Sequence, residues 1–147
     1  MLFLHADTRL PGGWDGAVCD ALADSGVVGG AFGFRFSERR LGLAWIEWGA
    51  RVRSRAGLPY GDQAIFARRT ALEAIGGIPQ VPIAEDLDLV RALRRRGRLR
   101  LLRLDAVTSA RRYLARGPVR TWLRHTFALV AWRLGVDRVR IARWVRR

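Results

Sequence analysis

The sequence contains no lysine, and all 27 of its basic residues are arginine. Cysteine is reduced to Cys19, which excludes a disulfide framework and a thiolate metal site and makes a reducing, cytoplasmic setting the expected one. Acids are scarce, 13 against 27 arginines, which leaves a formal charge of +14. No apolar run approaches the about 20 residues that a transmembrane helix needs, the longer ones being of the size of "FALVAW", Phe127 to Trp132. The opening "MLFLHA" runs into "DTRLPGG" without a basic leader, so no signal peptide is expected. Internal repeats and low-complexity linkers are also missing.

What is present suits one domain: 147 residues, half of them apolar. Arginine binds phosphate through a bidentate fork and stays charged, so nucleotides, nucleic acid and anionic headgroups are the natural partners. A genome-wide preference for arginine codons would give the same composition.

"MLFLHAD" is apolar on both faces of a period-2 pattern and reads as a buried parallel strand. Ala17, Val18, Ala21 and Leu22 follow helical spacing up to Gly26. "VVGGAFGFRF" reads as a strand with a bulky face, Phe32, Phe34 and Phe36, and a small face, Gly29, Ala31 and Gly33, that lets a ligand or another backbone approach. Leu41, Ala44, Trp45, Trp48 and Val52 mark an amphipathic helix over Arg40 to Arg55. "GLPYGD" is a turn, "QAIFARR" a short strand, "TALEAIGG" a short helix and "IPQVPI" an extended segment. A helix starts near Glu85, "RLRLLRL" and "AVTSARRY" read as strands, and helices over Pro118 to Leu134 and Val136 to Val145 close the chain. The alternation predicts an α/β fold with a mainly parallel, Rossmann-like sheet.

Three of the scarce acids fall within four positions, in "AEDLDLVRALRRRG". At about 100° per residue, Asp86 lies almost at the centre of the face carrying Leu89, Val90 and Leu93, whereas Glu85 and Asp88 point away. Acids in a first helical turn offset the macrodipole, and that accounts for Glu85 and Asp88. Asp86, aimed at the apolar side, is a candidate general base at the lip of a cleft.

In "LHADTRLP" His5 and Asp7 share a face at the carboxyl end of the first strand, where open α/β sheets bind ligands. Asp7 could hold Mg²⁺ or Mn²⁺ beside substrate phosphates; otherwise it opens the turn before Pro11. His5 is read as a satisfied core imidazole. Asp62 and Gln63 in "YGDQAIF" form a polar pair that a plain turn also explains, and Arg111 and Arg112 in "SARRY" are a diphosphate clamp or simply solvated.

In this order the segments resemble the C-terminal part of a family 2 glycosyltransferase of GT-A fold. "FLHADTRLP" resembles the strand with the metal-binding D-x-D-type motif, "VVGGAF", "YGDQAIFARR" and "AIGGIP" resemble acceptor-side segments, and "AEDLDLVRALRRRG" resembles the ED motif. The nearest resemblance is to a subgroup of small bacterial transferases sharing the GDQ and SARR stretches, and it runs from about Leu2 to the last helix. It implies an inverting transfer from a nucleotide-sugar donor: Asp86 as base, Glu85 as its companion acid, Asp7 as ligand of a divalent cation (Mg or Mn), and Asp62 and Gln63 near acceptor or sugar. Arg111 and Arg112 are assigned to the leaving diphosphate by charge alone. The first acid of the D-x-D pattern is His5 here, and an arginine frequent in the helix after the ED motif is Ala92, with Arg91 beside it. The family opens with a nucleotide-binding portion that does not precede Met1, so the expectation is a truncated chain. Residues 1–115 would then be the C-terminal portion of the GT-A domain and 116–147 a helical extension.

Two non-catalytic readings compete. A nucleic-acid binder is disfavoured, because no binding motif occurs and the aromatics sit at core spacings. A membrane-surface module would use "RTWLRHTFALVAWRLG", although Val119, Leu123, Val130 and Leu134 there have the spacing of a face packed on the sheet. A transferase acting on a lipid-linked acceptor, peripheral at the inner face of the membrane, would combine this reading with the first.

Overall fold

Val27–Phe36 (β3) is the strand around which the rest of the chain is arranged. The structure, a computed structural model, describes residues 1–146; the side chains of Leu41 and Arg146 lie outside the described residues. Two short strands, Leu2–Phe3 (β1) and Thr8–Arg9 (β2), precede helix α1 (Trp14–Ala23) and β3. Helix α2 (Leu41–Arg55) leads into a 3₁₀ turn at Gly61–Gln63, strand β4 (Ile65–Ala67), α3 (Arg69–Ala74), α4 (Glu85–Arg94) and β5 (Arg98–Thr108). Three helices follow: α5 (Arg111–Arg116), α6 (Pro118–Arg133) and α7 (Arg138–Arg146).

The sheet order is β1-β4-β3-β5-β2. The α/β class holds, but the sheet is mixed rather than mainly parallel: only β3 and β5 pair in parallel, and β1 with β4, β3 with β4 and β2 with β5 are antiparallel. "MLFLHAD" accordingly gives a two-residue edge strand with an antiparallel neighbour, and His5 and Asp7 lie beyond it in a turn closed by the Thr8 N–H donating to the His5 carbonyl at 3.1 Å. Two faces are covered only at Leu2, which packs with Phe32, Phe66 and Ala21, and Phe3, which packs with Ile65, Leu89 and Val90; Leu4 and His5 are exposed. Period 2 encodes faces and carries no information about strand direction.

The glycines of β3 admit neighbouring backbone, and not only on the small face: Gly30 lies among the bulky positions. A Cβ on Gly30 would overlap the Arg100 carbonyl of β5, and one on Gly29 would press on the Phe66 carbonyl of β4. β5 is one continuous strand rather than two, and "SARRY" turns helical after Ser109, whose Oγ accepts from the Arg111 N–H at 3.2 Å. On α2 the buried stripe is Leu43, Ile46, Ala50 and Ser54, so Trp48 and Val52, expected inside, are exposed. The α6 expectation is likewise corrected: Val119, Leu123, Val130 and Leu134 face outward, and Thr121, Ala131 and Trp132 face in. Asp88 does not point away either. It accepts from Trp132 Nε1 at 2.9 Å and from Arg138 Nη2 at 2.8 Å, and so ties α4 to α6 and α7.

Candidate active site

β1, β3 and β5 run in one direction and β4 in the other, so the carboxyl ends of the first three and the turn preceding β4 share one edge of the sheet. Hydrogen bonds lock this edge. Thr8 and Thr108 hydroxyls meet at 2.8 Å, the Thr108 hydroxyl donates to the Asp62 carbonyl at 3.2 Å, and the Ser109 N–H donates to the Asp7 carbonyl at 3.1 Å. The loop bearing Asp7, the turn bearing Asp62 and the start of the "SARR" stretch therefore converge.

Asp86 reaches the same place from the first turn of α4. Its Oδ2 accepts from the Gly61 N–H at 2.7 Å and its Oδ1 from the Leu87 N–H at 2.8 Å, which fixes the carboxylate in one orientation. Burial raises its pKa, the two backbone N–H bonds oppose that, and the neighbouring negative charge of Glu85 adds to the rise. Glu85 itself is exposed and acts on Asp86 only through its charge. Gly61 brings the site close together: a Cβ there would stand 2.7 Å from His5 Nε2, so the exposed His5 ring would have to turn aside, and 3.5 Å from Asp86 Oδ2.

Asp62 is the most perturbed acid of the edge. Its Oδ1 is buried without a hydrogen-bond partner. Burial lifts its pKa from 3.8 to about 6; Arg53 pulls it down, Asp86 and Asp7 push it up, and His5 pulls it down. Asp7, Asp62, Asp86 and His5 thus feel one another across the site although they come from three separate stretches of sequence.

His5 was expected in the core and is instead exposed at this edge, its Nε2 against Gly61. Gln63 is only 1 % exposed, and its amide is consumed by the fold: Nε2 donates to the Phe32 carbonyl, and Oε1 accepts from Arg53, Ser54 Oγ and the Tyr60 N–H. Its position makes it the post that holds Asp62 rather than a surface for ligand. Arg111 and Arg112 are exposed on the first turn of α5, two and three residues beyond the Ser109 tie to the Asp7 loop.

Sequence reasoning missed the inner wall. The Arg53 guanidinium lies 3.4 Å above the Tyr60 ring and faces a cavity of about 150 Å³ that also contains Asp62, Tyr113, Trp122 and His125. The Tyr113 hydroxyl and His125 Nδ1 are 3.1 Å apart. Burial raises the Tyr113 pKa and lowers that of His125, the latter with help from the charges of Arg112, Arg53 and Arg124. Nothing local marks these residues, since Arg53 and Tyr60 read as a helix end and a turn and His125 as one position in an amphipathic helix.

Backbone conformation adds a further sign. Ala64, just after the Asp62 turn, and Ala84, just before Glu85, have φ of 48° and 63°, the left-handed region that a residue with a Cβ enters at about 1–2 kcal/mol. Such outliers concentrate where the surroundings force a functional geometry.

A divalent cation would find the exposed carboxylate of Asp7, with the charge of Asp62 nearby and the Asp62 Oδ1 buried. Among the described residues no three His, Cys, Asp or Glu side chains stand close enough to enclose a metal. This donor set suits Mg²⁺, which takes one or two protein carboxylates and completes its shell with water and substrate phosphate oxygens. No family model, curated protein or solved structure matches this chain.

Proposed function

We propose that the chain is an inverting glycosyltransferase that moves a sugar from a nucleotide-sugar donor to an acceptor hydroxyl. The observation that carries this reading is the convergence of Asp86 with Asp62, Asp7 and His5 at the carboxyl edge of β1, β3 and β5.

In this reading Asp86 accepts the proton of the acceptor hydroxyl while that oxygen attacks the anomeric carbon from the face opposite the diphosphate. The bond from the anomeric carbon to the diphosphate oxygen breaks, and its electron pair leaves with the nucleoside diphosphate. A base is most effective when its pKa is near the working pH, and burial moves Asp86 in that direction. Its two backbone N–H bonds leave a further lone pair on each oxygen and hold the carboxylate still. Asp7, with Asp62 beside it, would hold the cation, whose chemistry when bound is to neutralise the departing diphosphate. Arg111 and Arg112 stand next to the Asp7 loop and add positive charge there.

The test has two readouts. Release of nucleoside diphosphate from UDP-, GDP- and dTDP-sugars with Mn²⁺ should fall by about 10²–10⁴-fold in Asp86→Asn. Thermal stabilisation by the matching diphosphate with Mn²⁺ should disappear in Asp7→Ala. A folded Asp86→Asn protein with undiminished release removes Asp86 as the base, and stabilisation unchanged in Asp7→Ala removes the cation role.

A further inference from the structure

The outward face of α6 is not the polar surface expected of a solvated helix. Val119, Leu123, Phe127, Val130 and Leu134 are 58, 53, 54, 48 and 76 % exposed. With about 100° per residue they fall within an arc of about 80°, opposite the buried Thr121 and Trp132. Trp144 of α7, 41 % exposed, continues the stripe through its contact with Phe127, ring centroids 5.2 Å apart. Such a continuous apolar stripe marks an interaction surface.

Charge decides between its occupants. Arg120 and Arg133 are exposed on the two sides of the stripe, about 60° and 80° from its centre. From Arg111 to Arg147 the chain carries eleven arginines and a single acid, Asp137. A second copy would bring a formal +14 against +14, and nucleic acid, which could stack on Phe127, offers nothing to the four aliphatic side chains of the stripe. An apolar stripe with an exposed arginine on each side, on a strongly basic C-terminal segment, fits a bilayer surface, where the stripe enters the acyl boundary and the guanidinium groups stay at the headgroups.

We infer that α6 docks this protein flat on an anionic membrane surface, with the Val119–Leu134 stripe inserted and the flanking arginines on lipid phosphates. The inference rests on the helix faces and stands whether or not the transferase reading does. It has a consequence for that reading: the inner face of α6, through Trp122, His125 and Leu129, lines the cavity that contains Asp62. Docking would hold that cavity within about one helix diameter, 10–12 Å, of the lipid, a suitable station for an acceptor anchored in the bilayer.

The experiment is co-sedimentation of the full chain with vesicles of phosphatidylcholine alone and with phosphatidylglycerol added, comparing wild type with Leu123→Ser/Phe127→Ser. Wild type should bind the anionic vesicles only, and the double variant should bind at least about tenfold more weakly for each side chain removed. Both side chains are about half exposed and Phe127 loses its contact with Trp144, so the melting temperature of the variant is measured beside its binding to show that it is folded. Hydrogen exchange on wild type provides a reading free of substitutions: amides of α6 should slow when anionic vesicles are added. Absence of binding, equal binding by wild type and variant, or α6 amides indifferent to vesicles would overturn the inference. A dimer in vesicle-free buffer that the double variant disperses would overturn it in favour of self-association.

Discussion

Replacing Asp62 with Asn removes the most unfavourably placed charge of the site, so it should make the protein more stable at neutral pH. The folded-state pKa of Asp62, about 6, lies above the ordinary value of 3.8, mainly because its carboxyl group is buried and Oδ1 has no partner. The proton therefore binds the folded chain more tightly than the unfolded one. Well below pH 3.8 the carboxyl is neutral in both states and costs little. As the pH rises from about 4 to 6 the unfolded chain ionises first, and above about 6 the folded chain carries the whole penalty. A gap of about two units corresponds to about 3 kcal/mol. Asn has the same shape and never ionises, so Asp62→Asn should exceed wild type by up to about 3 kcal/mol at pH 7.5 and by under about 1 kcal/mol at pH 4. For a chain of this length that is roughly 10 °C in Tm at the higher pH. Thermal unfolding followed by circular dichroism at pH 4, 5, 6 and 7.5, at constant ionic strength, measures the difference directly. A Tm difference that does not change with pH, or a variant less stable than wild type at pH 7.5, would refute the argument, because it would mean that Arg53 already neutralises the carboxylate. A stability gain accompanied by loss of nucleoside-diphosphate release would mark Asp62 as a group held at a cost for its function.

Two further outcomes test the frame around the site. Asp88→Ala strips the Trp132 and Arg138 donors of their acceptor and leaves a half-buried guanidinium unpaired, so it should cost about 2–3 kcal/mol and speed hydrogen exchange in α6 and α7 before the rest of the chain. Gly30→Ala drives a Cβ into the Arg100 backbone and should cost more than about 3 kcal/mol or prevent folding, whereas Gly16→Ala in α1, where an added Cβ meets nothing, should stabilise by about 0.5–1 kcal/mol; urea unfolding of the two variants shows both signs.

Local pattern placed some element boundaries, since β3 spans the whole of "VVGGAFGFRF" and α4 begins at Glu85, but not those of β1, β5 or α5. Pattern failed wherever the answer depended on a distant partner. Alternation in "MLFLHAD" reported two covered faces, true only of Leu2 and Phe3, and was silent on direction, which the pairing with β4, over sixty residues away, decides. The α6 stripe misled because an exposed apolar face and a core face look alike in periodicity; the face that packs inward is built from Thr121, Ala131 and Trp132 and gives no stronger signal.

The acids of α4 show how far spacing alone can reach. Rotation along a helix separates Glu85, Asp86 and Asp88, so three neighbouring carboxylates must meet three different surroundings. Spacing selected Asp86 as the one turned inward, and the Gly61 N–H that receives it follows from the turn 25 residues earlier. Asp88 looked like a helix-dipole charge because its partners, Trp132 and Arg138, come 44 and 50 residues later. It is the clamp on the C-terminal helices, and those helices present both the inner wall beside Asp62 and the apolar stripe outside. The acidic stretch therefore does two jobs at once: Asp86 stands in the site, while Asp88 fixes the helix that forms the wall of that site.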